Sequence, residues 1–75
     1  MSEEIAFGQV LRELRKKRGF SQEAFAAEVG IARNYVSLLE LGRFSVSFAV
    51  LFQIAKALDM PASELVRLAE DRIGG

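Results

Sequence analysis

Apolar residues recur along this chain at helical spacing, and nowhere do they alternate with polar ones as a half-buried strand requires. Phe7, Val10, Leu11 and Leu14 fall at i, i+3, i+4 and i+7, one stripe flanked by Gln9, Arg12, Glu13 and Lys16. The pattern predicts a first helix from Glu3 to Arg18, stopped at Gly19, a residue suited to a left-handed cap. Ser21 stands at the next N-cap, with Glu23 in the first turn where the helix dipole favours an acid. The second helix is short, with Phe25, Ala26 and Val29 inward and Gly30 at its end. A third begins at Ala32 or Arg33, buries Val36 and Leu39, and closes at Gly42. After a loop from Arg43 to Val46, Ser47 caps a fourth helix with Leu51, Ile54, Ala55 and Leu58 inward. Pro61 suits the first turn of a fifth, which carries Leu65, Leu68 and Ala69, while Gly74 and Gly75 are expected to fray. The expected fold is all-α: a compact five-helix bundle forming one domain over residues 1–75, with short connections and no repeat or linker.

Two short helices joined by a tight glycine-containing turn describe a helix-turn-helix, here spanning about residues 21–41. The spacing of Gln22, Ala26, Gly30, Val36 and Glu40 makes the reading more specific. Ala26 is small where the two helices cross closely. Gly30 permits the positive φ of a sharp turn. Val36 is the plug that locks the second helix of the motif onto the first.

These residues belong to a longer pattern. It includes Gly8-x-x-Leu11-Arg12-x-Leu14-Arg15, Gly19-x-Ser21-Gln22-Glu23 and Ala26-x-x-x-Gly30-Ile31, then Tyr35-Val36-Ser37-x-x-Glu40-x-Gly42 and Ile54-Ala55-Lys56-Ala57-Leu58. From Gly8 to about Leu65 the chain resembles the lambda-repressor and Cro-like (XRE) family of transcription regulators. Its Arg33-x-Tyr35-Val36-Ser37 wording is most similar to the restriction-modification controller type.

The resemblance implies that the N-terminal half of the third helix enters the major groove of double-stranded DNA. Arg33 and Asn34 then face base edges, where arginine bonds guanine and asparagine bonds adenine bidentately. Ser37 and Leu38 follow one turn on, expected on the same exposed side, with Leu38 suited to a thymine methyl. Gln22 is expected on a phosphate at a helix N-terminus, with Arg43 a second phosphate contact and Tyr35 a third. The alternatives are ordinary ones: Arg33 and Asn34 as a solvated face, and Tyr35 as half-buried packing. The run Arg15-Lys16-Lys17-Arg18 points around its helix, so more than half of it is expected to be solvated charge. Arg15 is the exception, because in the family this arginine pairs with the acid matching Glu40. An Arg15–Glu40 salt bridge tying helix 1 to the recognition helix is therefore expected.

Composition narrows this further. The chain has 75 residues, no cysteine and no histidine, which removes disulfides, thiolate sites and imidazole catalysts. No cofactor, metal or enzymatic activity is expected, and the absence of cysteine fits a reducing cytoplasm. The opening Met1-Ser2-Glu3-Glu4 is acidic rather than apolar, so a signal peptide is not expected. No stretch approaches the ~20 apolar residues of a membrane span. Ten basic residues balance ten acidic ones, which runs against the usual basicity of a nucleic-acid binder and shifts attention to distribution.

Hydrophobic residues make up 51% of the chain, more than so small a fold is expected to bury. Phe44, Val46, Phe48, Val50 and Phe52 crowd the start of helix 4, with Val66 and Ile73 near the C-terminus. Phe48 and Val50 fit either core or surface. Phe44, Val46, Phe52, Val66 and Ile73 are expected in a homodimer interface, which the family commonly builds from this end. Such a dimer presents two recognition helices about 34–36 Å apart, matching a palindromic operator.

Departures from the family pattern also have consequences. Ala32 replaces a hydroxyl N-cap at the recognition helix, at a cost of about 1 kcal/mol. Val46 stands where proline is frequent, and Leu41 and Phe44 replace polar or basic residues, leaving the loop poor in charge. Two functional classes follow: a homodimeric sequence-specific regulator, or a protein-interaction or antitoxin-type module that keeps the fold.

Overall fold

The structure, a computed structural model, describes residues 1–74. Among them the chain forms helices α1 (Glu3–Lys17), α2 (Gln22–Val29), α3 (Arg33–Glu40), α4 (Phe48–Ala57) and α5 (Ala62–Gly74), and no strand. The all-α architecture expected from the apolar periodicity is the one observed. Gly74 closes α5, and Gly75 lies outside the described residues.

The helix boundaries follow from local chemistry. Ser2, Ser21 and Ser47 each sit in extended backbone, and their hydroxyl oxygens accept from the amides of Ile5, Ala24 and Val50 at 3.2, 3.0 and 3.1 Å. Each bond satisfies a donor that the helix itself cannot. Ala32 makes no such bond at the start of α3, as its methyl side chain dictates. α1 stops one residue short of expectation, at Lys17, with Arg18 as its cap. The Gly19 and Phe20 amides then turn back onto the Lys16 and Arg15 carbonyls at 2.9 and 3.1 Å, satisfying the helix end. Pro61 lies just before α5 rather than inside its first turn; its carbonyl accepts from Glu64 at 3.0 Å.

Burial follows the apolar stripes. Leu11, Phe25, Val36, Leu39, Ile54, Leu58 and Leu65 are the largest fully buried side chains, and every helix contributes to the core. α1 packs against α3 and α5, α2 against α3 and α4, and α4 against α5. Leu68, expected inward, is half-buried at the rim of the core. Arg72 of α5 reaches across to α1, donating to Glu13 at 2.7 and 2.9 Å and to Gln9 at 3.1 Å. Its guanidinium holds the Glu13 carboxyl below the ordinary carboxylate range.

The crossing of α1 and α3 depends on one residue without a side chain. A Cβ at Gly8 would collide with the backbone carbonyl oxygen of Leu39 and sit 2.7 Å from that of Glu40. Neither obstacle is a flexible side chain, so relief requires the two helices to move apart. Gly8→Ala should therefore destabilise the fold by roughly 1–3 kcal/mol, the usual range for overpacking. Urea unfolding reads this directly, and an unchanged midpoint would disprove the backbone contact.

Candidate nucleic-acid interface

α2 and α3 are joined by a turn that begins at Gly30, whose φ of +90° is a backbone conformation side-chain-bearing residues rarely adopt. The Gly30 and Ile31 amides both donate to the Ala26 carbonyl, at 2.8 and 3.0 Å, which closes α2 within one residue. Ala26 is buried and Val36 fully so, in the small-residue and plug positions expected of them. Two short helices held in this relation leave the N-terminal end of α3 at the surface.

Arg33 and Asn34 lie at that end and both are exposed. Arg33 shares an open polar hollow with Arg15, Ser21, Gln22 and Glu23, so the starts of α2 and α3 form one continuous surface. Ser37 and Leu38 are half-buried, less accessible than the exposed side expected for them. Tyr35 is also half-buried; it packs on the core rim with its ring 6.3 Å from Phe44, while Arg43 is exposed in the loop beyond α3.

Beneath this surface sits the ion pair expected from the sequence. Arg15 Nε donates to Glu40 Oε2 at 2.5 Å and Nη2 to Oε1 at 3.1 Å, with the two side chains 8% and 4% exposed. Two further bonds were not anticipated. Arg15 Nη1 donates to the Phe20 carbonyl at 2.8 Å, and Gln22 Nε2 donates to Glu40 Oε1 at 3.0 Å. Gln22 therefore brings α2 into the network, with its amide nitrogen engaged inside the protein. No buried side-chain nitrogen or oxygen among the described residues lacks a partner.

Charge is unevenly paired. Arg15, Arg67 and Arg72 are held in ion pairs. The other basic residues, Arg12, Lys16, Lys17, Arg18, Arg33, Arg43 and Lys56, have no carboxylate partner among the described residues. Arg12, Lys16 and Lys17 lie on α1, Arg18 caps it, Arg33 lies on α3 and Arg43 in the loop after it, while Glu23 and Glu28 on α2 are likewise without an ion-pair partner among the described residues. The dimer candidates are Phe44, Phe52, Val66 and Ile73, exposed at 52, 54, 42 and 41%, and Val46, half-buried against the core. Phe48 resolves to the surface at 74% exposure, and Val50 is half-buried. Among the described residues no cluster of acids is placed to hold a metal ion, and no helix is long and apolar enough to cross a membrane.

A helix-turn-helix with an exposed polar leading edge is the class of module that the fold and this surface define. The chain belongs to the HTH_3 helix-turn-helix family of transcription regulators, whose family model matches residues 11–65. It is 44% identical over 62 residues to the control protein C.MunI of Mycoplasma sp, covering 81% of this chain and 84% of that one. With the control protein C.BamHI of Bacillus amyloliquefaciens it shares 36% identity over 63 residues, covering 83% and 78%. The crystal structure of the restriction-modification controller protein C.AhdI from Aeromonas hydrophila superposes with a TM-score of 0.79 at 44% identity, covering 81% of this chain and 92% of that one. That of the clp gene regulator ClgR from Corynebacterium glutamicum reaches a TM-score of 0.93 at 26% identity, covering 99% and 79%. These relatives are named as regulators and control proteins, not as enzymes.

Removing either half of the buried pair leaves the other charged and stranded, which costs about 3–5 kcal/mol, whereas replacing both with apolar groups costs far less. Arg15→Met and Glu40→Leu should each lower unfolding free energy in that range, and the double variant should recover much of the loss. Additive losses in the denaturation cycle would show that the two side chains do not act as a pair.

Proposed function

We propose that the protein is a sequence-specific regulator that binds double-stranded DNA as a homodimer on a palindromic operator, in the manner of a restriction-modification controller. The observation that carries this reading is the exposed Arg33–Asn34 edge at the start of α3, seated on a helix-turn-helix that the Arg15–Glu40–Gln22 network holds rigid. Arg33 and Asn34 carry the two side-chain types best matched to guanine and adenine edges in the major groove. Ser37 and Leu38 extend the reading surface by one turn. Arg43 contacts phosphate from the loop, with Tyr35 beside it. Gln22 orients Glu40 through its amide nitrogen and approaches the DNA backbone at the α2 N-terminus, where the helix dipole favours an anion. The similarity to control proteins supports the regulatory assignment, and an operator in the cytoplasm is where such a protein acts.

The exposed apolar side chains on α4, α5 and the loop before α4 support the homodimer, since single exposed residues are ordinary but a contiguous set is not. Binding as a pair doubles the base contacts and offsets a modest overall field, because non-specific affinity scales with the phosphates neutralised.

Selection of bound sequences from random duplex DNA should return a palindrome whose half-sites are spaced by about one helical turn. In the same assay Arg33→Ala should weaken binding by roughly 1–3 kcal/mol and relax preference at one position per half-site. Enrichment of no sequence at all would overturn the DNA-binding reading and favour the interaction module. Sedimentation equilibrium at micromolar concentration should give twice the 8.3 kDa chain mass. A monomer both free and on DNA would remove the palindrome.

A further inference from the structure

The loop between α3 and α4 rests on the first turn of α1. Gly42 starts it at a φ of +73°, and its amide donates to the Leu39 carbonyl at 3.1 Å. A Cβ there would lie 2.8 Å from the Ile5 Cα and 3.1 Å from the Ile5 nitrogen, so the two backbones are in direct contact. Three residues on, the Ser45 hydroxyl donates to Glu4 Oε2 at 3.0 Å. Phe44, Ser45 and Val46 share the lining of one apolar cleft with Glu3, Glu4 and Phe7. Phe44 also meets the Tyr35 ring, and Val46 packs against the core. Glu4 and Ile5 precede residues 11–65, the stretch that the helix-turn-helix family model matches.

Arg43 sits between these anchors. Its amide donates to the Leu38 carbonyl at 3.0 Å, while its side chain is exposed and has no ion-pair partner among the described residues. Fixing the backbone on both sides of an arginine reduces the entropy lost when that side chain is ordered on a phosphate. The Glu4 carboxyl is suited to holding the loop. Hydrogen bonds from its own backbone amide and from Ser45 keep it below the ordinary carboxylate range, so it is an ionised acceptor at neutral pH.

We propose that Glu4 is a positioning residue for DNA binding: by holding Ser45 it fixes the loop on α1 and presents Arg43 to a phosphate. The proposal rests on the reading of Arg43 as a phosphate contact and adds what orders it. It also predicts a sign opposite to simple electrostatics. An acid beside a DNA-contacting loop repels the phosphate backbone, so removing its charge alone should tighten binding. Removing the acceptor for Ser45 should instead loosen it.

Affinity for the duplex returned by selection from random DNA, measured over a range of salt concentrations, tests this, with circular dichroism to verify helicity. Glu4→Ala and Ser45→Ala should each weaken binding about threefold, as for one modest hydrogen bond, and the double variant should lose no more than either. Glu4→Gln keeps an acceptor and should bind like the parent or tighter. So should Glu3→Ala, which removes an acid from the same turn without touching Ser45. Arg43→Ala should flatten the dependence of log K on log salt by about 0.9, the value of one phosphate, and E4A and S45A should shift it in the same direction. In the R43A background neither should weaken binding further. E4A binding as tightly as the parent, E4Q or E3A as weak as E4A, or losses that persist undiminished in R43A overturn the proposal while leaving DNA binding intact. A parent protein that binds no sequence overturns the DNA-binding reading beneath it.

Discussion

A guanidinium and a carboxylate buried together hold the functional half of this molecule in place. Burying either charge alone carries a desolvation cost of several kcal/mol, and the pair is tolerated only because its geometry and its additional hydrogen bonds compensate. Arg15 meets Glu40 with two nitrogens and spends a third on the Phe20 carbonyl, while Gln22 adds a second bond to Glu40 Oε1. One cluster thus joins α1, the turn after it, the start of α2 and the end of α3. The recognition helix is short, at eight residues, and lacks a side-chain N-cap, so its own backbone would hold it weakly. Its orientation is borrowed from this network and from Val36 and Leu39 beneath it. Gly8 completes the arrangement by letting the α1 backbone close on the α3 carbonyls, which brings Arg15 within reach of Glu40.

The same economy shows in the distribution of charge. The chain is neutral, and four of its ten acids are held in ion pairs among the described residues. Glu13 is tied to Arg72, Glu64 and Asp71 to Arg67, and Glu40 to Arg15. That pairing takes up three bases and four acids, and leaves seven basic and six acidic side chains without an ion-pair partner among the described residues. In aqueous salt the field of exposed charges such as these reaches about 8–10 Å.

Around α4 and α5, hydrophobic residues outnumber the places available in the core. α4 carries Leu51, Ile54 and Ala55 inward, which leaves Phe48 and Phe52 no interior site on so narrow a helix. Their exposure follows from α4 turning its Leu51, Ile54 and Ala55 face to α2 and α5.

Helix number, order and most boundaries were legible in the amino-acid string, because caps, apolar spacing and terminal glycines are local signals that act within one or two turns. The Arg15–Glu40 pair was legible too, but only through resemblance to a family, since 25 positions separate its members and no local rule joins them. Other features belong to the tertiary structure alone. The tie from Gln22 to Glu40, the clasp of Arg72 on Glu13 and the half-burial of Ser37 and Leu38 arise where separate helices meet. The choice between core and surface for Phe48 was of the same kind, since it depends on which neighbours the fold brings to that side of α4. So it is with the helix-turn-helix: residues 21–41 specify its two helices and its turn, and the packing of α1 against α3 decides how rigidly it presents Arg33 and Asn34.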